Sequence, residues 1–327
     1  MDIILENRSI SYADVVYENA LPSWRMTSTK ASIITSPDEK FVYKGTSFYQ
    51  FLVCGAEIFR HEVDACYREI QIVNYFIGTH PNVIPPADYL VFATTNENTP
   101  KHLMCGSLYA FRERGSLADL LDKTVHEKRR LPLPLKAKWC YQLCSAMAHA
   151  HYKAKQWHQD LKPPNVLIDD DENVLIADWE QCGANPFILA PEADGSVDVR
   201  ELDDKVNGRR RLEFYLYEGP ERINSPIGAP LWNSFIGWMK DYPRAAELAE
   251  VFSLGRTMWV LLEQVGLEHE PGVTDYSTKV IRWSSWSDDI PTSWKRIVEA
   301  SMAHDANDRP LMSELLRFWE REWQTYR

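Results

Sequence analysis

One segment of the sequence holds most of the side chains that could carry out chemistry together. Between His158 and Asn165 it contains the carboxylate of Asp160, the amine of Lys162 and the amide of Asn165. A second carboxylate, Asp178, follows thirteen residues after Asn165. Asparagine and aspartate supply the hard oxygen atoms that Mg²⁺ prefers as ligands. These residue types also occur in hydrogen-bonded turns, but the joint spacing of the four favours a functional site.

The elements around this segment would place its polar side chains close together. The short apolar runs Val166–Ile168 and Val174–Ile176 flank the acidic turn Asp169–Asn173. Two such runs on either side of a turn-forming cluster predict a β-hairpin. This hairpin carries Asp178 just beyond its second strand, and its acidic tip is interpreted as a solvated turn.

The rest of the chain separates into a strand-rich first half and a helical second half. Ala31–Thr35 and Phe41–Lys44 predict strands, and one helix is predicted over His61–Phe76. Apolar residues recur every four positions from Leu135 to Met147, and residues 246–264 are apolar almost all round, which is typical of core helices. The sequence therefore predicts an α+β fold.

The polar segment also resembles a known motif. His158 to Asn165 resembles the catalytic loop of protein kinases, written H-R-D-L-x-x-x-N. Asp178 occupies the place of the aspartate in the D-F-G triplet of that family. Glu250–Gly255 resembles the D-V-W-S-L-G start of the kinase helix αF. The chain is thus similar to divergent eukaryotic serine/threonine protein kinases, and the Asp178-Trp179-Glu180 triplet is similar to fungal-type sequences.

This resemblance implies a bilobal protein-kinase-like fold. It predicts a β-rich N-lobe over residues 31–112 and a helical C-lobe over residues 113–327. Residues 1–30 are then an N-terminal extension of unknown role.

The resemblance also implies a role for each polar residue of the motif. Asp160 would act as the catalytic base that accepts the proton of the acceptor hydroxyl, and Lys162 would meet the transferring phosphate. Asn165 and Asp178 would hold Mg²⁺ on the phosphates of ATP. ATP and Mg²⁺ are therefore the cofactors that the resemblance implies.

Further nucleotide-binding residues are expected in the N-lobe. Lys44, at the end of the strand Phe41–Lys44, matches the lysine that kinases carry on their third strand. Its expected partner is Glu69 on the predicted helix, and Glu62 is the alternative.

A second expectation concerns the segment that receives adenine. Residues 108–117 resemble the kinase hinge, so the backbone of Ala110 to Arg112 would bind the base. Tyr109 is then the candidate gatekeeper.

Three features depart from the family pattern. Residues 23–33, where kinases have a glycine-rich loop over the phosphates, contain no glycine. Gln159 replaces the arginine that in many kinases binds an activation-loop phosphate, which predicts that this switch is absent. Trp179-Glu180 replaces Phe-Gly, which predicts a less mobile segment.

The segment between Asp178 and residue 246 has two triplets that resemble the family's A-P-E. They end at Glu192 and Glu221, and Glu221 is favoured as the structural partner of Arg309. Residues 194–211 are polar and predict a long mobile loop. Within it, Arg209–Arg211 is either a solvated charge run or a site for an acidic or phosphorylated partner.

Composition narrows the function classes. The chain of 327 residues has 36 basic and 47 acidic side chains, a net charge of −11, which argues against general nucleic-acid binding. It has no run of 18 apolar residues and no basic start before an apolar stretch, so neither a membrane span nor a secretory signal is expected. Six cysteines are too sparse for a disulfide scaffold, which favours the cytoplasm or the nucleus.

The function that these observations favour is transfer of the ATP γ-phosphate to serine or threonine hydroxyls of protein substrates. Two alternatives stay open. One is a pseudokinase that serves as a binding or scaffold module, which the missing glycine-rich loop supports. The other is a kinase that acts on a hydroxyl of a small-molecule acceptor, because a fold does not fix a substrate.

Overall fold

The computed structural model describes most of the chain in two compact units. The described residues are 8–20, 28–45, 66–77, 80–94, 102–180, 190–193, 196–219, 233–265 and 281–327. The first unit comprises residues 1–75 and 85–113, and the second comprises residues 76–84 and 114–327.

The first unit is built on a six-stranded sheet. Its strands are β1 (Arg8–Ser11), β2 (Val15–Ala20), β3 (Ser28–Ile33), β4 (Ser36–Gly45), β5 (Tyr89–Thr94) and β6 (His102–Ala110). The order across the sheet is β1-β5-β6-β4-β3-β2. Strand β1 lies parallel to β5, and every other neighbouring pair is antiparallel. Residues 66–77 are helical, with an α-helical part over 66–71 and a π-helical part over Ile72–Ile77.

The packing of Tyr43 determines on which face of the sheet the next residue of β4, Lys44, lies. The Tyr43 ring is buried and lies 5.0 Å from the Tyr17 ring. A Cβ atom at either Gly45 or Gly106 would lie 2.6 Å from atoms of the Tyr43 ring, so both positions must remain glycine for the ring to fit. Since side chains alternate along a strand, Lys44 points to the opposite face of the sheet.

The sheet begins earlier than the sequence predicted. Residues 1–30 were expected to be an extension outside the N-lobe, but β1, β2 and the start of β3 are paired strands of the same sheet. These strands are short and mix serine, charged and apolar residues, so they lack a clear alternating pattern. The segment between β2 and β3, residues 21–27, lies outside the described residues.

The second unit is mainly helical. Its helices are α1 (Leu117–His126), α2 (Leu133–His149), α3 (Asn233–Asp241), α4 (Pro243–Glu263), α5 (Thr292–Ser301) and α6 (Met312–Tyr326). A π-helical turn, Ala150–Ala154, extends α2, and the strands β7 (Val166–Ile168) and β8 (Val174–Ile176) form the predicted hairpin. Helix α4 is buried from Ala245 to Glu263, as its apolar residues on every face indicate.

The polar segment expected to be a long loop is largely a β-hairpin. Strands β9 (Val197–Val206) and β10 (Arg209–Leu216) pair antiparallel. The two residues between them, Asn207 and Gly208, have φ angles of 52° and 77°, the left-handed conformation that asparagine and glycine adopt most readily. The loop prediction was wrong because the strands are strongly charged and show little apolar alternation.

Two basic side chains bind the carboxyl end of α4. Lys136 is fully buried, and its Nζ donates to the carbonyl oxygen of Leu262 at 2.9 Å. Arg130 donates to the same oxygen at 3.1 Å and to the carbonyl oxygen of Glu263 at 2.9 Å. Burial, followed by the nearby charge of Arg130, lowers the pKa of Lys136 to about 7.

Replacing Lys136 by methionine should change how stability depends on pH. The folded-state pKa of about 7 is below the ordinary value of 10.5. Between pH 7 and pH 10.5 the unfolded chain therefore binds one more proton than the folded chain. Stability should therefore rise from pH 7 to pH 10 in the wild type, and Lys136→Met should reduce this rise by about 3 to 4 kcal/mol. Urea unfolding at both pH values measures it.

The matched control is Lys138→Met, since this lysine of the same helix donates to the carbonyl oxygen of Asp171 at the surface. The control should keep the wild-type pH dependence. Equal slopes for the wild type and Lys136→Met would contradict the role assigned to the buried amine.

Candidate active site

The loop between the π-helical turn and β7 brings three of the predicted site residues together. The Nζ atom of Lys162 donates to Oδ2 of Asp160 at 2.6 Å. The Nδ2 atom of Asn165 donates to the same Oδ2 atom at 3.1 Å and to the backbone oxygen of Asp160 at 2.9 Å. The Asp160 carboxylate is therefore oriented by two side chains that the sequence motif supplies at fixed distances along the chain.

The backbone of this loop depends on a buried carboxylate from helix α4. Gln159 has a φ angle of 63°, in the left-handed region that residues other than glycine seldom adopt. Its N–H donates to Oε1 of Glu250, and Nε2 of His151 donates to Oε2 of the same carboxylate. All three residues are buried. Glu250 thus fixes the turn that directs Asp160.

His158 connects the loop to the residues that precede Asp178. Its Nε2 donates to the carbonyl oxygen of Ala177 at 2.7 Å, and its Nδ1 accepts the N–H of Asp160 at 3.2 Å. The N–H of Ala177 donates in turn to the carbonyl oxygen of Asn165 at 2.9 Å. These bonds require a neutral imidazole with its proton on Nε2. They place Asp178, whose φ angle is 63°, immediately beside the loop.

Trp179 occupies the position that the family pattern gives to phenylalanine. Its ring is fully buried and lies 4.7 Å from the His158 ring at an angle of 63°. Its Nε1 donates to the carbonyl oxygen of Ile176 at 2.8 Å. The same oxygen accepts the N–H of Ile84 at 3.0 Å. Trp179 is therefore held by a polar contact as well as by packing.

The side chains at this position fit a divalent cation. Because Nδ2 of Asn165 is committed to Asp160, the amide presents its oxygen, Oδ1, to a ligand. Asp178 adds a carboxylate from the adjacent segment. One amide oxygen and one carboxylate, with phosphate oxygens and water, would form the oxygen-rich set that Mg²⁺ prefers.

The first unit contains the predicted lysine–glutamate pair. Nζ of Lys44 lies 2.7 Å from Oε2 of Glu69, and the exposed fractions of the two side chains are 13% and 2%. Glu69 lies on the helical segment 66–71, on the sheet face opposite Tyr43. Burial, and next the charge of Glu69, raises the pKa of the Tyr109 hydroxyl well above its usual value. The alternative partner, Glu62, lies outside the described residues.

The predicted hinge begins where β6 ends. Tyr109 is buried and pairs with Val42 in the sheet. Phe111 donates its N–H to the carbonyl oxygen of Lys40 at 3.0 Å, so this amide belongs to the sheet. Ala110 and Arg112, on either side of Phe111, remain the residues whose backbone is expected to bind adenine.

Arg309 has a different partner from the one that the sequence favoured. Nη1 and Nη2 of Arg309 donate to the two carboxylate oxygens of Glu192 at 2.5 and 2.9 Å. The preference for Glu221 was therefore wrong for this contact, and Glu221 itself lies outside the described residues. Burial decides the choice, because Ala190 and Ala193 on either side of Glu192 are completely buried and fix the triplet in the core.

Sequence reasoning missed His151. Its type and spacing did not suggest a role, and the surrounding sequence, which also contains His149 and Lys153, did not single it out. Its burial shows the need for a polar partner, which Glu250 supplies.

The comparisons with known proteins agree with this geometry. Residues 56–185 match the family model of the protein kinase domain. The chain is 34% identical to a CBL-interacting serine/threonine-protein kinase of Arabidopsis thaliana over 117 residues, which are 36% of this chain and 23% of that protein. It is 35% identical to the carbon catabolite-derepressing protein kinase of Secale cereale over 113 residues, which are 34% of this chain and 20% of that protein.

A third relative extends further along the chain. A serine/threonine-protein kinase of Schizosaccharomyces pombe is 25% identical over 179 residues, or 50% of this chain and 27% of that protein. The chain thus spans about a quarter or less of the length of these curated relatives. Plant and yeast proteins both occur among them, so the narrower fungal-type resemblance stays a prediction.

Together, the family match and the two units define the fold class. The chain has a protein-kinase-like α+β fold with a β-rich N-lobe and a helical C-lobe. Within the described part of the chain, no helix combines the length and the apolar character that crossing a membrane requires.

Removing the charge of Glu192 should destabilise the second unit. Breaking a buried ion pair by changing one partner leaves the other charge without compensation, which costs about 3 kcal/mol or more. Glu192→Gln should therefore lower the free energy of unfolding by that amount, as measured by urea denaturation.

The control is Glu213→Gln on strand β10, which removes an exposed ion pair with Arg200 on strand β9. It should change the unfolding free energy by less than about 1 kcal/mol. If both variants unfold at the same urea concentration as the wild type, Glu192 does not stabilise Arg309.

Proposed function

We propose that this chain transfers the γ-phosphate of ATP, with Mg²⁺, to serine or threonine hydroxyls of protein substrates. The observation that carries the proposal is the joint placement of Asp160, Lys162 and Asn165, tied through His158 to the residue before Asp178. A merely structural turn has no need of a carboxylate that is oriented by both an amine and an amide.

Each residue has a task in this reaction. Asp160 orients the acceptor hydroxyl and takes its proton, and Lys162 adds positive charge where the phosphate transfers. Asn165 and Asp178 bind the cation, which neutralises charge on the phosphates. Lys44, held by Glu69, binds the phosphates from the first unit, and the backbone at Ala110 and Arg112 receives adenine.

The comparisons support protein substrates as the acceptor class, because the relatives carry serine/threonine-protein kinase in their names. The free thiols among the described cysteines suit a reducing compartment such as the cytoplasm. The glycine-free segment between β2 and β3 predicts weaker contacts with the phosphates than a glycine-rich loop makes.

The first test is Asp160→Asn. The amide keeps the shape of the side chain but cannot accept the proton, so turnover should fall about 10²- to 10⁴-fold. ADP release from Mg·ATP in the presence of mixed protein substrates measures it.

Asp170→Asn is the matched control, since Asp170 is an exposed carboxylate in the turn between β7 and β8. It should keep wild-type turnover. Equal ADP release by the wild type and Asp160→Asn would refute Asp160 as the base. No turnover in any of them, together with a thermal shift on adding Mg·ATP, would instead indicate a pseudokinase.

The second test is Asp178→Asn. Asparagine adopts positive φ angles more readily than alanine, so the substitution removes the charge without straining the backbone. ATP affinity in the presence of Mg²⁺ should fall at least about tenfold, while affinity in EDTA stays the same. Calorimetry with and without Mg²⁺ measures both, and an unchanged affinity with Mg²⁺ would remove Asp178 from the cation site.

A further inference from the structure

A substantial insertion separates Glu192 from helix α4. It contains the hairpin β9–β10 and helix α3, and its role is not explained by the residues of the active site. Its outer face is rich in charge, and each arginine of the run Arg209–Arg211 lies beside a carboxylate of the same chain. Arg209 pairs with Glu314, Arg211 pairs with Asp204, and Arg210 lies 4.0 Å from Glu201. These intramolecular pairs favour the interpretation of the run as a solvated charge run over a site for an acidic partner.

The inner face of the insertion is part of the core beneath the catalytic loop. Val199 and Leu212 of the hairpin are almost completely buried, as is Trp238 of α3. They share one hydrophobic cluster with Trp157, which lies two residues before Gln159. The catalytic loop and the insertion therefore rest on common side chains.

The free side of β10 is fastened to the segment that carries Arg309. The amide of Asn307 accepts the N–H of Leu212 at 2.8 Å and donates to its carbonyl oxygen at 2.9 Å. Arg209 donates to Oε2 of Glu314 at 2.5 Å and to the carbonyl oxygen of Arg309 at 3.2 Å. These bonds hold the hairpin against the site where Arg309 binds Glu192.

Helix α3 completes a path from the hairpin to the catalytic loop. Nε1 of Trp238 donates to Oδ1 of Asp198 in β9 at 3.2 Å, and its ring lies 5.7 Å from that of Phe214 in β10. The Sδ atom of the next residue, Met239, accepts a hydrogen bond from the side-chain amide of Gln159 at 3.4 Å. Gln159 is only 7% exposed, so its amide needs a partner inside the protein.

We propose that the insertion is a permanent brace for the catalytic loop, and that Gln159, held by Met239, is its positioning residue. Gln159 follows His158 and precedes Asp160, so a restraint on its side chain limits the orientations that both neighbours can take. The hydrogen bond from the neutral amide of Gln159 to the thioether of Met239 forms without any added charge. The loop is then held in place without a charged modification. This inference rests on the proposed function insofar as it concerns turnover.

Two conservative variants test the brace. Met239→Leu keeps apolar bulk and removes the sulfur acceptor, while Trp238→Phe keeps an aromatic ring and removes the donor to Asp198. Each should lower kcat about 3- to 10-fold and leave the KM for ATP unchanged, because the loss of one hydrogen bond affects orientation and not nucleotide contacts. Amide hydrogen exchange in peptides over residues 157–165 should become faster by a similar factor.

Glu213→Gln is the control within the hairpin, since it removes an exposed ion pair on the outer face. It should leave both kcat and exchange at wild-type values. Unchanged exchange over 157–165 in both test variants would overturn the brace. Faster exchange throughout the second unit with a lower urea midpoint would also overturn it, because that pattern indicates general packing.

The exchange measurement separates the two proposals. If the wild type shows no turnover with any substrate, the proposed function fails, and the exchange rates alone decide whether the insertion restrains the loop.

Discussion

A buried carboxylate holds the backbone turn on which the geometry of the candidate active site depends. Gln159 adopts a left-handed conformation that costs a residue with a side chain about 1–3 kcal/mol, and the turn persists because Glu250 accepts its N–H. The same carboxylate accepts a hydrogen bond from Nε2 of His151, so both of its oxygens are bound and its burial is compensated. On either side of Gln159, His158 donates to the carbonyl oxygen of Ala177 and Asp160 accepts from Lys162. The positions of the polar groups therefore follow from one helix that is buried on all sides.

The local part of the candidate site could be predicted from the sequence because its residues lie at short spacings along the chain. Asp160, Asn165 and Asp178 lie on one loop and one hairpin, so their separation along the chain nearly determines their separation in space. The partner of Arg309 could not be predicted in this way. The triplets that end at Glu192 and Glu221 resemble each other, and the choice between them is made by the burial of the neighbouring alanines, which is a property of the folded core.

The fold was predictable where apolar periodicity is strong and not where it is weak. The stretch of α4, which has apolar residues on every face, and the two runs that became β7 and β8 formed the expected elements. Strands β9 and β10 were missed because their outer face carries cross-strand ion pairs and their buried inner face has few apolar residues, so a charged sequence conceals them. The Asn207-Gly208 pair was the one local signal for this hairpin. Strands β1 and β2 were missed for a related reason, since each exposes much of its length.

The parallel strand at one end of the sheet protects its neighbour from unwanted association. Strand β5 contains Leu90 and Val91, both completely buried, and without β1 its backbone donors and acceptors would form an open edge beside an apolar surface. Such an edge is a template for pairing with another chain. Strand β1 covers it with only four residues, of which Arg8, Ser9 and Ser11 are exposed and polar. The sheet thus ends in a short, hydrophilic strand, which is a poor template for pairing with another chain. Strand β1 therefore protects the edge of β5 from aggregation.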